Sequence, residues 1–168
     1  MMTVAFTAMP TTDAAHLWNG GTDAYGRIPE VQVSAGAGYP CRHCLRNIDE
    51  GEELLVLAYR PFPGLQPYAE TGPIFLHKTP CRRYVAEEIL PPILSSPDYI
   101  LRGYGSDNRI VYGSGAVTPT ERIKARAEEL LSRPDIAYVH VRSARNNCFQ
   151  CRIDRVEAPS FAGAALAI

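Results

Sequence analysis

The sequence predicts an α+β fold: a mostly antiparallel sheet with one well-defined helix and one short helix packed on it. Three observations predict it. Apolar residues alternate, or run in short Leu/Val-rich stretches, over much of the chain. Only one segment combines a complete helix-start signal with a clear apolar face. Strict strand–helix–strand alternation, the mark of a parallel sheet, is absent.

Taken in order, residues 29–34 alternate as a strand does and are ended by Gly36, Gly38 and Pro40. Residues 53–59 read as a central strand. Pro61, Pro63, Pro67 and Pro73 make a stiff loop poor in backbone donors, and residues 73–77 return as a strand. Thr79-Pro80-Cys81-Arg82 looks like a cap and a first-turn proline, which predicts the short helix through about Leu90, stopped by Pro91-Pro92. Residues 99–104 and 109–112 are strands joined by a turn containing Gly105, Asp107 and Asn108. Thr118-Pro119-Thr120-Glu121 is a capping box, and behind it Ile123, Ala127, Leu130 and Leu131 share one helix face. Strands over 136–143 and 148–156 close the chain. Residues 1–28 receive no element, and His16 and Trp18 are expected to pack locally.

The chain has 168 residues, 46% hydrophobic and 21% charged, which suits one domain over 1–168 with 158–168 as a loosely packed apolar tail. A net charge of −1 supplies no field toward nucleic acid or an anionic membrane. Arginines 142, 145, 152 and 155 are interrupted by Asp154 and Glu157, which further disfavours nucleic acid. No apolar run reaches membrane length, and the first residues do not read as a secretory leader. The expectation is a cytoplasmic protein with reduced thiols. Gly-rich phosphate loops, G-x-S-x-G and H-E-x-x-H are all absent, so the common nucleotide, hydrolase and zincin chemistries are not indicated.

Five cysteines, an odd count, point away from structural disulfides. Cys41 and Cys44 have chelating spacing in a loop, and His77 with Cys81 form a second pair at the end of a strand. Three sulfurs and one nitrogen are the ligand set of a closed structural zinc site. Two other readings compete: small buried thiols with an ordinary hydrogen bond at His77, and a thiol–disulfide switch with His43 stabilising a thiolate. The glycine usual after the second cysteine of a zinc knuckle is replaced by Leu45. Cys148 and Cys151, though equally spaced, should lie on opposite faces of a strand and share no ion.

The closing hairpin offers a second candidate. Val139 and Val141 match Phe149, Cys151 and Ile153 as a core row if a three-residue loop, 144–146, joins the strands with Asn146 left-handed. The opposite face then gathers Tyr138, His140, Arg142, Gln150 and Arg152. It suits a small anionic ligand held by the arginines, with His140 as acid or base; the plainer alternative is a solvated sheet face. The loop 61–73, with Tyr68 and Glu70, is the expected lid. A homodimer through an open sheet edge is the third functional class left open.

Gly38-Tyr39-Pro40-Cys41-Arg42, Gly51-Glu52-Glu53-Leu54-Leu55, Pro67-Tyr68, Gly72-Pro73-Ile74-Phe75, Tyr138-Val139-His140-Val141-Arg142 and Cys148-Phe149 follow one another in a recognisable order. Together they resemble the bacterial domain-of-unknown-function family numbered 1203, from about Pro29 onward. The resemblance implies kinship and a bacterial source, and carries no activity with it.

Overall fold

A computed structural model describes residues 3–156, so the tail expected at 158–168 lies outside the described residues. Two antiparallel sheets carry the chain. The first elements are β1 (Val4–Thr7), α1 (Thr11–Trp18), β2 (Glu30–Val33), β3 (Glu53–Tyr59) and β4 (Gly72–His77). They are followed by β5 (Asp98–Tyr104), β6 (Ala116–Pro119), a 3-10 turn at Thr120–Arg122, α2 (Ile123–Leu131), β7 (Tyr138–Ser143) and β8 (Phe149–Arg155). One sheet has the order β1-β8-β7-β5-β6 and the other β2-β3-β4. The fold is therefore α+β and mostly antiparallel sheet.

Each sheet has its own core. Ile123, Ala127, Leu130 and Leu131 of α2, the helix face read from the sequence, are buried with Leu101, Val139, Val141, Cys151 and Ile153. Burying one such side chain is worth about 1.5–3 kcal/mol. The second core joins Leu54, Leu57, Ile74 and Leu76 to Met9, Ala14 and Leu17 of the α1 region. β3 is the central strand of its sheet, paired on both sides, whereas all four residues of edge strand β2 are exposed.

Two helices form, as expected, but the short one is elsewhere. Residues 79–90 are not helical. Their polar groups serve other segments instead: the Tyr84 N–H donates to the His43 carbonyl, and the Glu87 carbonyl accepts from the Phe6 N–H. A helix would have consumed the Tyr84 N–H internally. The short helix is α1, in a stretch left unassigned. The capping box also fails: the Thr118 hydroxyl turns back to Ala116, Thr120 bonds Ser96, and the chain takes a 3-10 turn before α2. β5 is paired by β6 and β7, not by the expected strand at 109–112, which contributes a single bridge from Ile110 to Tyr104.

The two halves meet at the N-terminal segment. Between β1 and α1 the Met9 N–H donates to the Arg42 carbonyl at 2.9 Å. Arg83 donates back to the carbonyls of Ala8 and Met9 at 2.7 and 3.1 Å.

Candidate metal centre and neighbouring cleft

The knuckle forms without its glycine. Leu45 takes φ 53°, which a β-carbon tolerates poorly. Its side chain is fully buried, and that burial offsets the strain. The Leu45 N–H donates to the Cys41 carbonyl and the Cys41 N–H to the Arg46 carbonyl, closing the turn. The N–H groups of Cys44 and Arg46 are aimed at the sulfurs of Cys41 and Cys44.

The turn is laid beside β4 by a bridge from Cys41 to Phe75. His77 lies two residues further along β4, on the same face as Phe75, and so reaches the sulfurs. The chain then bends at residues 78 and 79 and brings Cys81 to the same point. The ligating atoms of Cys41, Cys44, His77 and Cys81 all lie within 4.8 Å of one another. Cys41 Sγ and Cys81 Sγ are 3.8 Å apart, and Cys44 Sγ is 3.6 Å from His77 Nδ1. An edge of about 3.8 Å is what a tetrahedron with zinc–sulfur bonds of about 2.3 Å requires. The four residues could hold a metal ion.

The surroundings suit that use. His77 turns Nδ1 to the sulfurs and Nε2 to Glu52 Oε2, 3.5 Å away, the carboxylate arrangement that fixes the tautomer of a ligating histidine. His43 is no ligand: its Nδ1 lies 3.4 Å from the Cys81 sulfur and its Nε2 2.9 Å from the Thr11 hydroxyl. Trp18 crosses the His43 ring edge-on and donates to the His77 carbonyl, so it packs on this centre rather than locally. Without an ion, hydrogen bonds from Cys44 and Cys81 favour a Cys41 thiolate, and the same bonds push Cys44 up to about 11 and Cys81 higher still.

Arg42 is the unexpected neighbour. It is 2% exposed, and its guanidinium bonds only the carbonyls of Phe149 and Pro40. No carboxylate pairs with it among the described residues. Burial lowers it to about 10, opposed by the charges of Cys148 and Cys41, so it remains a cation at neutral pH.

The hairpin departs from its expected register. His140 pairs directly with Arg152 and Val141 with Cys151, but a bulge pairs Arg142 with Phe149. The turn spans four residues and its left-handed position is Asn147, not Asn146. Phe149 therefore leaves the core row for the His140 face, their ring centres 4.9 Å apart. Gln150 falls at the bulge and turns its amide to the Cys148 carbonyl, so it does not extend the polar row. Cys148 and Cys151 are free thiols, and the metal-competent group includes neither.

The face is not open to solvent. Phe62, from the proline loop, stacks 5.1 Å from His140, and Tyr104 and Tyr138 close its sides. His140 is 1% exposed and Arg142 3%. Glu70 of the same loop accepts from Arg102 at 3.0 Å and lies 3.2 Å from Arg142 Nη2, so one carboxylate is shared by two guanidinium groups. Burial holds His140 well below the ordinary histidine range, and the charges of Arg142, Arg152 and Arg102 push the same way. It is a neutral imidazole. Arg152 is taken up by Asp154 and stacks 3.9 Å over Tyr138.

Beside this cage runs a cleft of about 770 Å³ that spans both halves. Met9, Leu17 and Leu57 line one part, and Phe62, His140 and Phe149 another. Arg142, Gln150 and Tyr138 do not reach it, so of the expected ligand group only His140 and Arg152 line it. Arg60 and Arg83 also line it, and no sequence signal marked either.

A mostly antiparallel α+β chain with a Cys3His cluster and a cleft between two sheets is the class that fold and site define. The chain belongs to the family described as protein of unknown function (DUF1203), which matches residues 38–155. No curated protein and no solved structure matches it. No helix among the described residues is long and apolar enough to cross a membrane.

Proposed function

We propose that Cys41, Cys44, His77 and Cys81 hold a structural zinc ion. The observation that carries this reading is the convergence of four soft ligands from three separated segments, with Glu52 behind the histidine. Four protein ligands would close the coordination sphere, leaving no position for substrate. The ion would act by cross-linking the knuckle, β4 and the segment after it. Three thiolates, one neutral imidazole and Zn²⁺ sum to one negative charge, and the buried Arg42 beside them supplies the positive one. Metal analysis of purified protein should find about one zinc per chain, and chelation should lower the melting temperature. A protein that is metal-free as isolated and indifferent to added zinc would leave buried thiols or a redox pair as the account.

A second reading, small-molecule binding, is supported by the loop that folds over His140 and by the cleft beneath it. Clefts of this size, apolar with a few polar groups, are typical ligand sites.

A further inference from the structure

The hydrogen bonds already made inside the cleft indicate what it lacks. Its carboxylates are occupied. Asp23 accepts from the N–H groups of Tyr25, Arg27 and Ala58, Asp13 from the Tyr59 hydroxyl, and Asp154 from Arg152. Arg83 is anchored to the wall, its Nε and Nη2 donating to the Met9 and Ala8 carbonyls. Arg60 is different: it lines the cleft, its Nε is buried, and that Nε has no hydrogen-bond partner. It also makes no ion pair among the described residues. A buried guanidinium nitrogen left unbonded costs free energy that an acceptor placed in the cleft would recover.

His140 offers the cleft a second donor. Its Nδ1 faces Arg142 Nη2 at 3.5 Å. A guanidinium can only donate, so Nδ1 is the acceptor and the ring proton sits on Nε2. That N–H has no partner among the described residues, on a side chain that is 1% exposed and lines the cleft. The remaining wall is apolar: Met9, Leu17, Leu57, Phe62 and Phe149.

We propose that the cleft takes an organic monocarboxylate with an apolar body and a second acceptor oxygen, the carboxylate on Arg60 and the second oxygen on His140 Nε2–H. This rests on the small-molecule reading of the cleft. A dianion such as phosphate fits poorly, because Asp13, Asp23 and Asp154 line the same space and would repel its second negative charge. A carboxylate forms charge-assisted, bidentate bonds with one guanidinium, which matches what the cleft offers.

The test uses zinc-loaded full-length chain and three probes: 3-benzoylpropionate, its primary amide, and 4-phenylbutyrate, which lacks the ketone. The keto acid should shift the NMR signals of Phe62, Phe149 and the His140 ring. The amide should bind roughly tenfold more weakly and the ketone-free acid by a smaller factor, as loss of a charged and a neutral hydrogen bond predicts. Arg60→Gln should reduce the keto acid to the affinity of the amide, and Arg60→Lys should restore part of it. The Arg60 side chain makes no hydrogen bond or ion pair among the described residues, so neither variant should melt below the parent. If amide and acid bind equally, or if Arg60→Gln changes nothing, the ligand class is wrong while the cleft stands as a site. If none of the probes moves those signals, the cleft is not a binding site and the inference falls with it.

Discussion

Cys41 and Cys44 have the same spacing as Cys148 and Cys151, yet only the first pair is brought to a common point. Around the first pair the chain reverses on a left-handed Leu45, and the backbone hydrogen bonds of the turn hold both sulfurs on its inner side. Around the second pair the chain is entering β8. Cys151 is buried under α2, whereas Cys148 stays half-buried, its thiol 3.6 Å from the Asn146 carbonyl. Spacing permits chelation; the backbone between the cysteines decides it.

The largest expected effect tests that contrast directly. Zinc bound at a site of this kind is worth on the order of 10 kcal/mol at neutral pH. Cys41→Ser should therefore abolish stoichiometric zinc and cost at least about 3 kcal/mol, or about 10 °C in melting temperature. Cys148→Ser, a half-buried thiol outside the cluster, should stay within about 0.5 kcal/mol. Equal losses from the two substitutions, read by calorimetry, would erase the distinction.

The hairpin face is held by charge rather than by sulfur. Glu70 is shared by Arg102 and by the buried Arg142, so Glu70→Gln leaves two neighbouring guanidinium groups without an anion. A loss of about 1–3 kcal/mol is expected, with faster hydrogen exchange in the loop around Gln66–Tyr68. Unchanged exchange there would mean that the proline loop is fixed by Phe62 alone.

The two regions should also answer acid differently. His140 is held neutral when folded, while the unfolded chain gains a proton near the ordinary value of 6.5. The unfolded state binds more protons below that pH, so stability falls as pH drops, by up to about 1.4 kcal/mol per pH unit. Its ring signals in the native protein should not titrate between pH 8 and 6. A transition in that window would show that the cage admits water.

The smallest effect concerns turns. Asn147 is left-handed at φ 56°, so Asn147→Gly should be neutral within about 0.5 kcal/mol while Asn147→Val costs about 1 kcal/mol or more. A harmless valine in thermal denaturation would mean the turn relaxes easily.

What the sequence disclosed follows from how local each signal is. β3 and the buried face of α2 were legible because periodicity within one segment determines them. The Cys3His quartet was legible from ligand chemistry, without a route for the chain between its halves. The bulge was not. A four-residue turn ending at Asn147 reverses the parity of the strands, and one extra residue near Gln150 restores it, so two compensating irregularities cancel in the alternation pattern. The cap-like Thr79-Pro80 misled because Cys81 must reach the cluster and Arg83 must reach Ala8 and Met9. Tertiary demands overrode a correct local signal. Arg60 and Arg83 carried no motif at all; a cleft wall assembled from distant segments leaves no spacing to read.

The pairing of β1 with β8 has a consequence in time. Val4 meets Arg155, so the edge of the five-stranded sheet closes only when nearly the whole described chain is in place. The pairings of β2, β3 and β4 and the four cluster ligands, by contrast, all lie between Glu30 and Cys81. Contacts close in sequence form faster because less chain entropy is lost before they are rewarded. We therefore expect β3 and β4 to be protected in pulse-labelled hydrogen exchange before β1 and β8, and added zinc to advance the early phase alone. Simultaneous protection of both sheets would mean that the chain folds in one step. If the cluster takes zinc as proposed, a metal-poor environment would hold back the half that should assemble first, while the sheet that carries His140 still waits for its edge strand.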